Sequence, residues 1–170
     1  MDLRLFQHDW SPVDVATLLV IRRGGRLLLI RKKRGLGKGL INAAGGRLEA
    51  GETPRQAAIR EVEEELGITP SSPSWCGEHR FQFVDGYSMH VHVYVAGGYR
   101  GSPRETDEAI PIWISDQEVP YAQMWADDAH WLPLLLSGRR FSGHYIFDGA
   151  QMKEFSIRVL GPNEPAGDLA

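Results

Sequence analysis

One segment of this chain is committed to a helix by its ends as well as its middle, and the rest must be arranged around it. Thr53 is a good N-cap, Pro54 suits the first helical position, and Gln56 completes a Thr-x-x-Gln capping box. Gly67, just past the last turn with Pro70 close behind, ends it. Ala58, Ile59, Val62 and Leu66 recur at helical spacing, so that side is expected to pack on a sheet. On the opposite side Glu61, Glu64 and Glu65 stand at i, i+3 and i+4, three carboxylates on one ridge. Like charges so placed repel by roughly 0.2–0.5 kcal/mol per pair. A bare Glu-rich run reads most simply as a solvated face. A divalent cation reverses the sign, because hard ions such as Mg²⁺ take carboxylate oxygens and keep positions open for water and phosphate. Glu52 can approach the ridge from the preceding loop, and Arg60 is a possible charge partner beside it.

The segments on either side of the helix are β-patterned. Val13 to Ile21 is rich in β-branched and aliphatic residues and reads as a buried strand, and Gly24-Gly25 turns the chain so that Arg26 to Arg31 pairs back on it. A glycine-rich connection, Arg34 to Ile41, leads toward the helix. After a loop at Ser71 to Ser74, Glu78 to Val84 and Met89 to Ala96 read as strands joined at Asp85-Gly86. In the second of these, Val91, Val93 and Val95 alternate with His90, His92 and Tyr94, the pattern of a strand with one face in the core and one elsewhere. Ile110 to Ser115 is a short strand, and Asp127 to Leu136 a second helix ending near Gly138 and containing Pro133. Gly143 to Phe147 and Lys153 to Leu160 are the last strands, about a turn at Asp148-Gly149. The order β-β-α-β-β-β-α-β-β implies an α/β fold in which a mixed sheet is sandwiched between helices, α/β/α. Residues 1–160 are expected to form a single domain, and 161–170, rich in Pro, Gly and acid, a flexible C-terminal tail.

Composition excludes several classes. At 170 residues, one domain can bury roughly 70% of its extended surface. A net charge of −3 argues against nucleic-acid binding, which shows a basic surplus. No apolar run reaches the length needed to span a bilayer, the N-terminus lacks a secretory pattern, and the single Cys76 cannot form an internal disulfide, so a cytoplasmic protein is expected. The basic residues are nonetheless uneven. Arg31, Lys32, Lys33, Arg34 and Lys38 cluster before the glycine loop; beside a carboxylate–metal site one or two of them could neutralise a polyphosphate, and Lys32 is favoured. His90 and His92 could ligate a metal, but they share one strand face without a third ligand nearby, so they read as ordinary surface or pocket histidines.

The helix and its loop read in full as G-x5-E-x7-R-E-U-x-E-E-x-G-U, with U aliphatic: Gly46, Glu52, Arg60, Glu61, Val62, Glu64, Glu65, Gly67 and Ile68. This resembles the signature of the Nudix hydrolases, which cleave a nucleoside diphosphate linked to another moiety. The resemblance implies a Nudix fold and a Mg²⁺ cofactor, with Mn²⁺ a possible substitute. Gly45, Glu61, Glu64, Glu65 and Glu108 would be the metal ligands, and Arg60, Glu61, Glu64, Glu65 and Glu108 the catalytic group. Glu108 enters because it aligns with a loop glutamate that reaches the metal in related enzymes.

The second half narrows the substrate. Val119 to Asp128, then Trp131, Pro133 to Leu136, Phe141, Gly143, Tyr145 and Phe147, together with Lys32 to Gly39 and Asn42, resemble the oxidised purine nucleoside triphosphatases, the MutT-like 8-oxo-dGTP diphosphatases that sanitise the nucleotide pool. The resemblance implies base contacts from Asn42, Asp127 and Asp128, stacking by Trp125, and a pocket lined by Thr17, Phe81, Phe83 and Met89. The residues support this independently. Trp125 offers a flat stacking face, and of two adjacent carboxylates one can hold a proton near neutral pH, so the pair presents both a donor and an acceptor to a purine edge. A small-molecule nucleotide substrate and a monomer follow. Leu36, Ile41 and Ala109 stand where the family has larger residues, which leaves the preferred base open. Other readings of the same box are hydrolysis of methylated purine triphosphates, dinucleoside polyphosphates or ADP-ribose, or nucleotide binding without cleavage.

Overall fold

The computed structural model describes residues 1–165; the end of the expected tail, residues 166–170, lies outside the described residues. Strand β1 (Asp14–Arg23) turns through Gly24-Gly25 into β2 (Arg26–Lys32), with Ile21 opposite Leu28. Two short strands follow, β3 (Ile41–Asn42) and β4 (Ala44–Arg47), and then α1 (Pro54–Leu66). The chain continues through β5 (Thr69–Ser71), β6 (Ser74–Phe83), β7 (Ser88–Ala96), β8 (Gly98–Arg100) and β9 (Ala109–Ser115), then α2 (Asp128–Leu136), β10 (Arg140–Asp148) and β11 (Gln151–Leu160). Nine strands form one mixed sheet in the order β11-β10-β6-β7-β1-β2-β3, with β4 also on β1 and β9 on β2. The β1–β7 and β6–β10 pairs are parallel and the others antiparallel. β5 and β8 make a separate two-stranded ribbon.

The centre of the sheet is buried on both faces, which is why β1 and β2 read as unbroken apolar runs. Leu19, Ile21, Leu28 and Ile30 point to one side and cluster with Ala58, Val62 and Leu66 of α1. Val20, Leu27 and Leu29 point to the other and cluster with Trp131, Leu132 and Leu135 of α2, which runs through Pro133. The expected sandwich of helices about a mixed sheet is what forms. No helix among the described residues is long and apolar enough to cross a membrane.

Helix α1 begins as its sequence dictates. Thr53 accepts from the Gln56 N–H at 3.2 Å and Gln56 accepts from the Thr53 N–H at 2.9 Å, while Gly67 closes the helix in the left-handed conformation. Its faces differ from expectation. Ile59 is only half-buried, Ala57 is fully buried, and Glu65 is 3% exposed, so the carboxylate ridge turns partly inward rather than standing opposite the packed side.

Strand β7 also departs from a one-sided reading. It lies between β6 and β1 in mid-sheet, and His90, His92 and Tyr94 are as buried as the valines. The histidines are therefore neither at the surface nor in the nucleotide-sized cavity described below. The sequence does not announce β3, β4, β5 and β8, Ser71 included, because strands of two to four residues, all but β3 containing glycine or proline, carry no readable alternation. At the C-terminus Arg140 donates to the carbonyls of Gly161, Pro162 and Glu164, which holds the first residues after β11 against the body.

Candidate active site

The glycines of β4 bring α1 close to the sheet. A side chain at Gly45 would strike the Thr17 carbonyl of β1, and one at Gly46 would strike the Glu61 carboxyl group. With hydrogen in those places, Glu65 accepts from the Gly45 N–H at 3.3 Å and Thr17 donates to the Gly46 carbonyl at 3.4 Å. Oxygens of Glu61, Glu65 and Glu108 come within 4.8 Å of one another, a group of hard donors of the kind that holds Mg²⁺ or Mn²⁺. Burial, with the charge of Glu61 second, pushes the Glu65 carboxyl up to about 8, and burial raises Glu61 as well. A cation bound between these two carboxyls would hold both ionised.

Arg60 organises the acidic side chains without entering the cavity. Its guanidinium donates to Glu52 at 2.7 and 2.8 Å, to Glu61 at 2.9 Å, to Glu64 at 3.3 Å and to the Arg47 carbonyl at 3.1 Å. Glu64 points outward, half exposed, and does not converge with Glu61, Glu65 and Glu108. Glu108, on the loop before β9, is held by Arg34 at 2.8 Å. Lys32, at the end of β2, donates to the Leu36 carbonyl at 2.8 Å, and its charge lowers the titration of Glu65.

From these carboxylates a cavity of about 520 Å³ runs between the sheet and α2. Its walls include every pocket residue expected from sequence: Thr17, Lys32, Asn42, Phe81, Phe83, Met89, Trp125, Asp127 and Asp128. The metal-end residues Gly45, Glu61, Glu65 and Glu108 line it too; Arg60 and Glu64 do not. Trp125 stands edge-on to Phe147 at 5.6 Å and to Phe83 at 6.4 Å, which fixes its plane and leaves a face to the cavity. The glycine-rich loop arches over it. Gly37, with φ near +82°, passes so close that an added Cβ would lie 2.8 Å from the Trp125 indole nitrogen.

At the apolar end lie Asp127 and Asp128, 4% and 6% exposed. Asp127 occupies the N-cap position of α2 but makes no capping hydrogen bond. Instead Trp131 donates its indole N–H to Asp127 at 3.0 Å and to Asp128 at 2.9 Å. Burial raises the titration of both acids, with the Asp127 charge adding to the effect at Asp128. A buried pair of this kind keeps a proton at neutral pH and faces a ligand as one donor beside acceptors. Asn42 lines the same end and carries both an amide donor and an acceptor.

The cavity also has walls that sequence reasoning did not assign: Phe147, Tyr87, Val91, Ala16 and Arg34, with Trp131 behind the aspartates. Phe147 and Trp131 belong to the aromatic string of the second half, where aromatic spacing alone does not separate a cavity wall from core.

Residues 11–135 match the family model described as the NUDIX domain. The chain is 43% identical over 134 residues to the oxidized purine nucleoside triphosphate hydrolase of Danio rerio, covering 78% of this chain and 86% of that protein. It is 38% identical over 152 residues to the protein of the same description from Mus musculus, covering 88% and 97%. A crystal structure of a MutT protein from Bacillus halodurans superposes with a TM-score of 0.77 over 85% of this chain and 97% of that one, at 24% identity, a likeness of fold. With its glycine-cradled carboxylates at one end of a cavity and the complete box on α1, this chain belongs to the NUDIX family of hydrolases.

Proposed function

We propose that this protein hydrolyses oxidised purine nucleoside triphosphates, such as 8-oxo-dGTP or 2-hydroxy-dATP, to the monophosphate and pyrophosphate. The observation that carries the reading is the buried Asp127–Asp128 pair beside Trp125, at the far end of a cavity that begins at Glu61, Glu65 and Glu108. The likeness to two proteins described as oxidized purine nucleoside triphosphate hydrolases supports it.

The base stacks on Trp125, and its edge meets Asp127, Asp128 and Asn42. Because the aspartate pair shares a proton, moving that proton between them exchanges donor and acceptor, so an 8-oxoguanine and a 2-hydroxyadenine edge can both be met. Thr17, Phe81, Phe83 and Met89 exclude water around the base. The triphosphate then extends toward α1, where the Lys32 ammonium offsets its charge. Glu61, Glu65, Glu108 and the Gly45 carbonyl would hold Mg²⁺ or Mn²⁺, which would supply Lewis acidity and lower the pKa of the attacking water. Arg60 keeps Glu52, Glu61 and Glu64 in place, and a glutamate among Glu61, Glu64 and Glu108 takes the proton of that water. Residues 1–160 act as a single-domain monomer on the free nucleotide pool of the cytoplasm.

Competitive turnover of 8-oxo-dGTP, 2-hydroxy-dATP and dGTP in Mg²⁺ tests the proposal. An oxidised base should be preferred over dGTP by roughly tenfold or more, the ratio that one well-made hydrogen bond supports. Equal turnover of the three, or none of any nucleoside triphosphate in Mg²⁺ or Mn²⁺, overturns it.

A further inference from the structure

A second cluster of ligating side chains lies away from the cavity. Along β6 and β7, Phe81, Phe83, Met89 and Val91 line the cavity, so the residues that alternate with them point to the other face of the sheet. There the pairing sets Glu78 of β6 opposite His92 of β7, with His90 two residues along. One carboxylate oxygen and two imidazole nitrogens fall within 4.8 Å of each other. The three residues are 1%, 2% and 8% exposed for Glu78, His92 and His90.

Each of these groups already has a hydrogen-bond partner, which a bound ion would replace. His90 Nε2 is 2.7 Å from Glu78 Oε2, while Ser142 of β10 donates to the other Glu78 oxygen at 3.0 Å. The Trp75 indole, which can only donate, lies 3.2 Å from His92 Nδ1, so that nitrogen is unprotonated. The N-terminal segment covers the neighbourhood. Trp10 donates to Gln82 at 2.9 Å, Phe6 stacks on His144 at 4.7 Å, and the Arg80 guanidinium lies over the Trp10 ring.

We propose that Glu78, His90 and His92 form a second metal site, for a borderline ion such as Zn²⁺, distinct in place and donor chemistry from the carboxylates of α1. Two imidazoles and one carboxylate make a donor set that suits Zn²⁺, whereas Mg²⁺ selects oxygen alone. Ser142 is the outer partner that orients the carboxylate, as ligating groups require. Around Zn²⁺, bonds of about 2.0–2.2 Å set neighbouring donors roughly 3.3–3.5 Å apart, so the ion takes the place of the proton between His90 Nε2 and Glu78 Oε2, now 2.7 Å from each other, and opens that pair slightly. The site lies on the sheet face beside the N-terminal segment and takes no part in hydrolysis; its ion stabilises that face.

The test uses the full chain, stripped with a chelator and then saturated with Mg²⁺ so that the α1 carboxylates are occupied. Co²⁺, a spectroscopic substitute for Zn²⁺, should then bind with one equivalent and give the visible absorption of a nitrogen-ligated, low-coordinate ion, which Zn²⁺ displaces. Zn²⁺ at about a hundredfold its Kd should raise the melting temperature by roughly 5–10 °C. Glu65→Gln should leave the Co²⁺ signal intact, while His92→Asn and Glu78→Gln should remove it. If those two variants fail to fold, nitrogen ligation read by X-ray absorption on the Co²⁺-loaded wild-type chain decides the matter. No Co²⁺ band, oxygen-only ligation, or a signal lost with Glu65→Gln and kept with His92→Asn overturns the proposal.

Discussion

Replacing Glu65 by Gln should stabilise the metal-free protein at alkaline pH while removing its response to Mg²⁺. The side chain is 3% exposed, and burial pushes its carboxyl from the ordinary 4.5 up to about 8. Below about pH 4.5 the group is protonated in the folded and unfolded chain alike and contributes no pH dependence. Between 4.5 and about 8 the folded chain keeps a proton that the unfolded chain has lost, so stability falls as pH rises. Above about 8 the loss is complete, and at 1.36 kcal/mol per pH unit it amounts to roughly 5 kcal/mol, or about 2 kcal/mol if local relaxation absorbs half or more. Glutamine has the same shape and no charge, so it escapes the slope. For a chain of this size each kcal/mol moves the melting temperature by about 2–4 °C, so at about pH 9 the variant should melt roughly 5–15 °C above the wild type in chelator. Other titrating groups, the aspartate pair among them, are common to both proteins and largely cancel. Thermal melts from about pH 5 to 9, with chelator and then with Mg²⁺, make the comparison. Mg²⁺ should raise the wild type much more than the variant. Parallel melting curves across pH, or equal stabilisation of both proteins by Mg²⁺, would refute the reasoning.

Trp125→Ala removes one stacking face, worth about 1–3 kcal/mol, and should raise KM for an oxidised purine triphosphate by roughly 5- to 150-fold with a smaller change in kcat; an unchanged KM in initial-rate assays would count against a stacked base. Gly46→Ala sets a methyl group against the Glu61 carboxyl, the movable end of a flexible side chain. It should keep its melting temperature within a few degrees while turnover drops about tenfold or more, and a fully active variant would mean that Glu61 need not stay where it is. Thr53→Ala opens the capping box and should cost about 1 kcal/mol, lowering the melting temperature by about 2–4 °C with kcat/KM unaltered. A loss of activity there would show that the cap positions the carboxylates rather than merely securing the helix.

Some features were legible because they are local. Thr53, Gln56 and Gly67 act within four residues of the backbone groups they satisfy, so the two ends of α1 could be located without knowing the fold. The box residues on that helix are likewise carried by a fixed helical period, and β1 and β2 announced their two-sided burial by apolar runs. Other features depend on what lies across the sheet. Glu65 reads as one of three equivalent acids along the helix, yet it alone is fully buried, because β4 is bare of side chains at Gly45 and Gly46 and lets the helix settle there. His90 and His92 show the same dependence, since the strand on either side, and not their own alternation, determines that their face is covered.

The sequence by itself determined the helix ends, the central strands and the order of the longer elements, because each of these follows from short-range hydrogen bonding, period and spacing, and the resemblance of its box pointed to the family. Only the tertiary structure decided which carboxylates meet: Glu108 comes to Glu61 and Glu65 from a loop more than forty residues downstream, while Glu64, inside the same box, turns to solvent. It also decided that Asp127 and Asp128 are buried against the Trp131 N–H rather than capping a helix in water, and that Glu78 stands beside His90 and His92. The physical reason is common to all three. A carboxylate's titration and its ligands depend on distance and desolvation, and those are properties of packing between elements far apart in the chain.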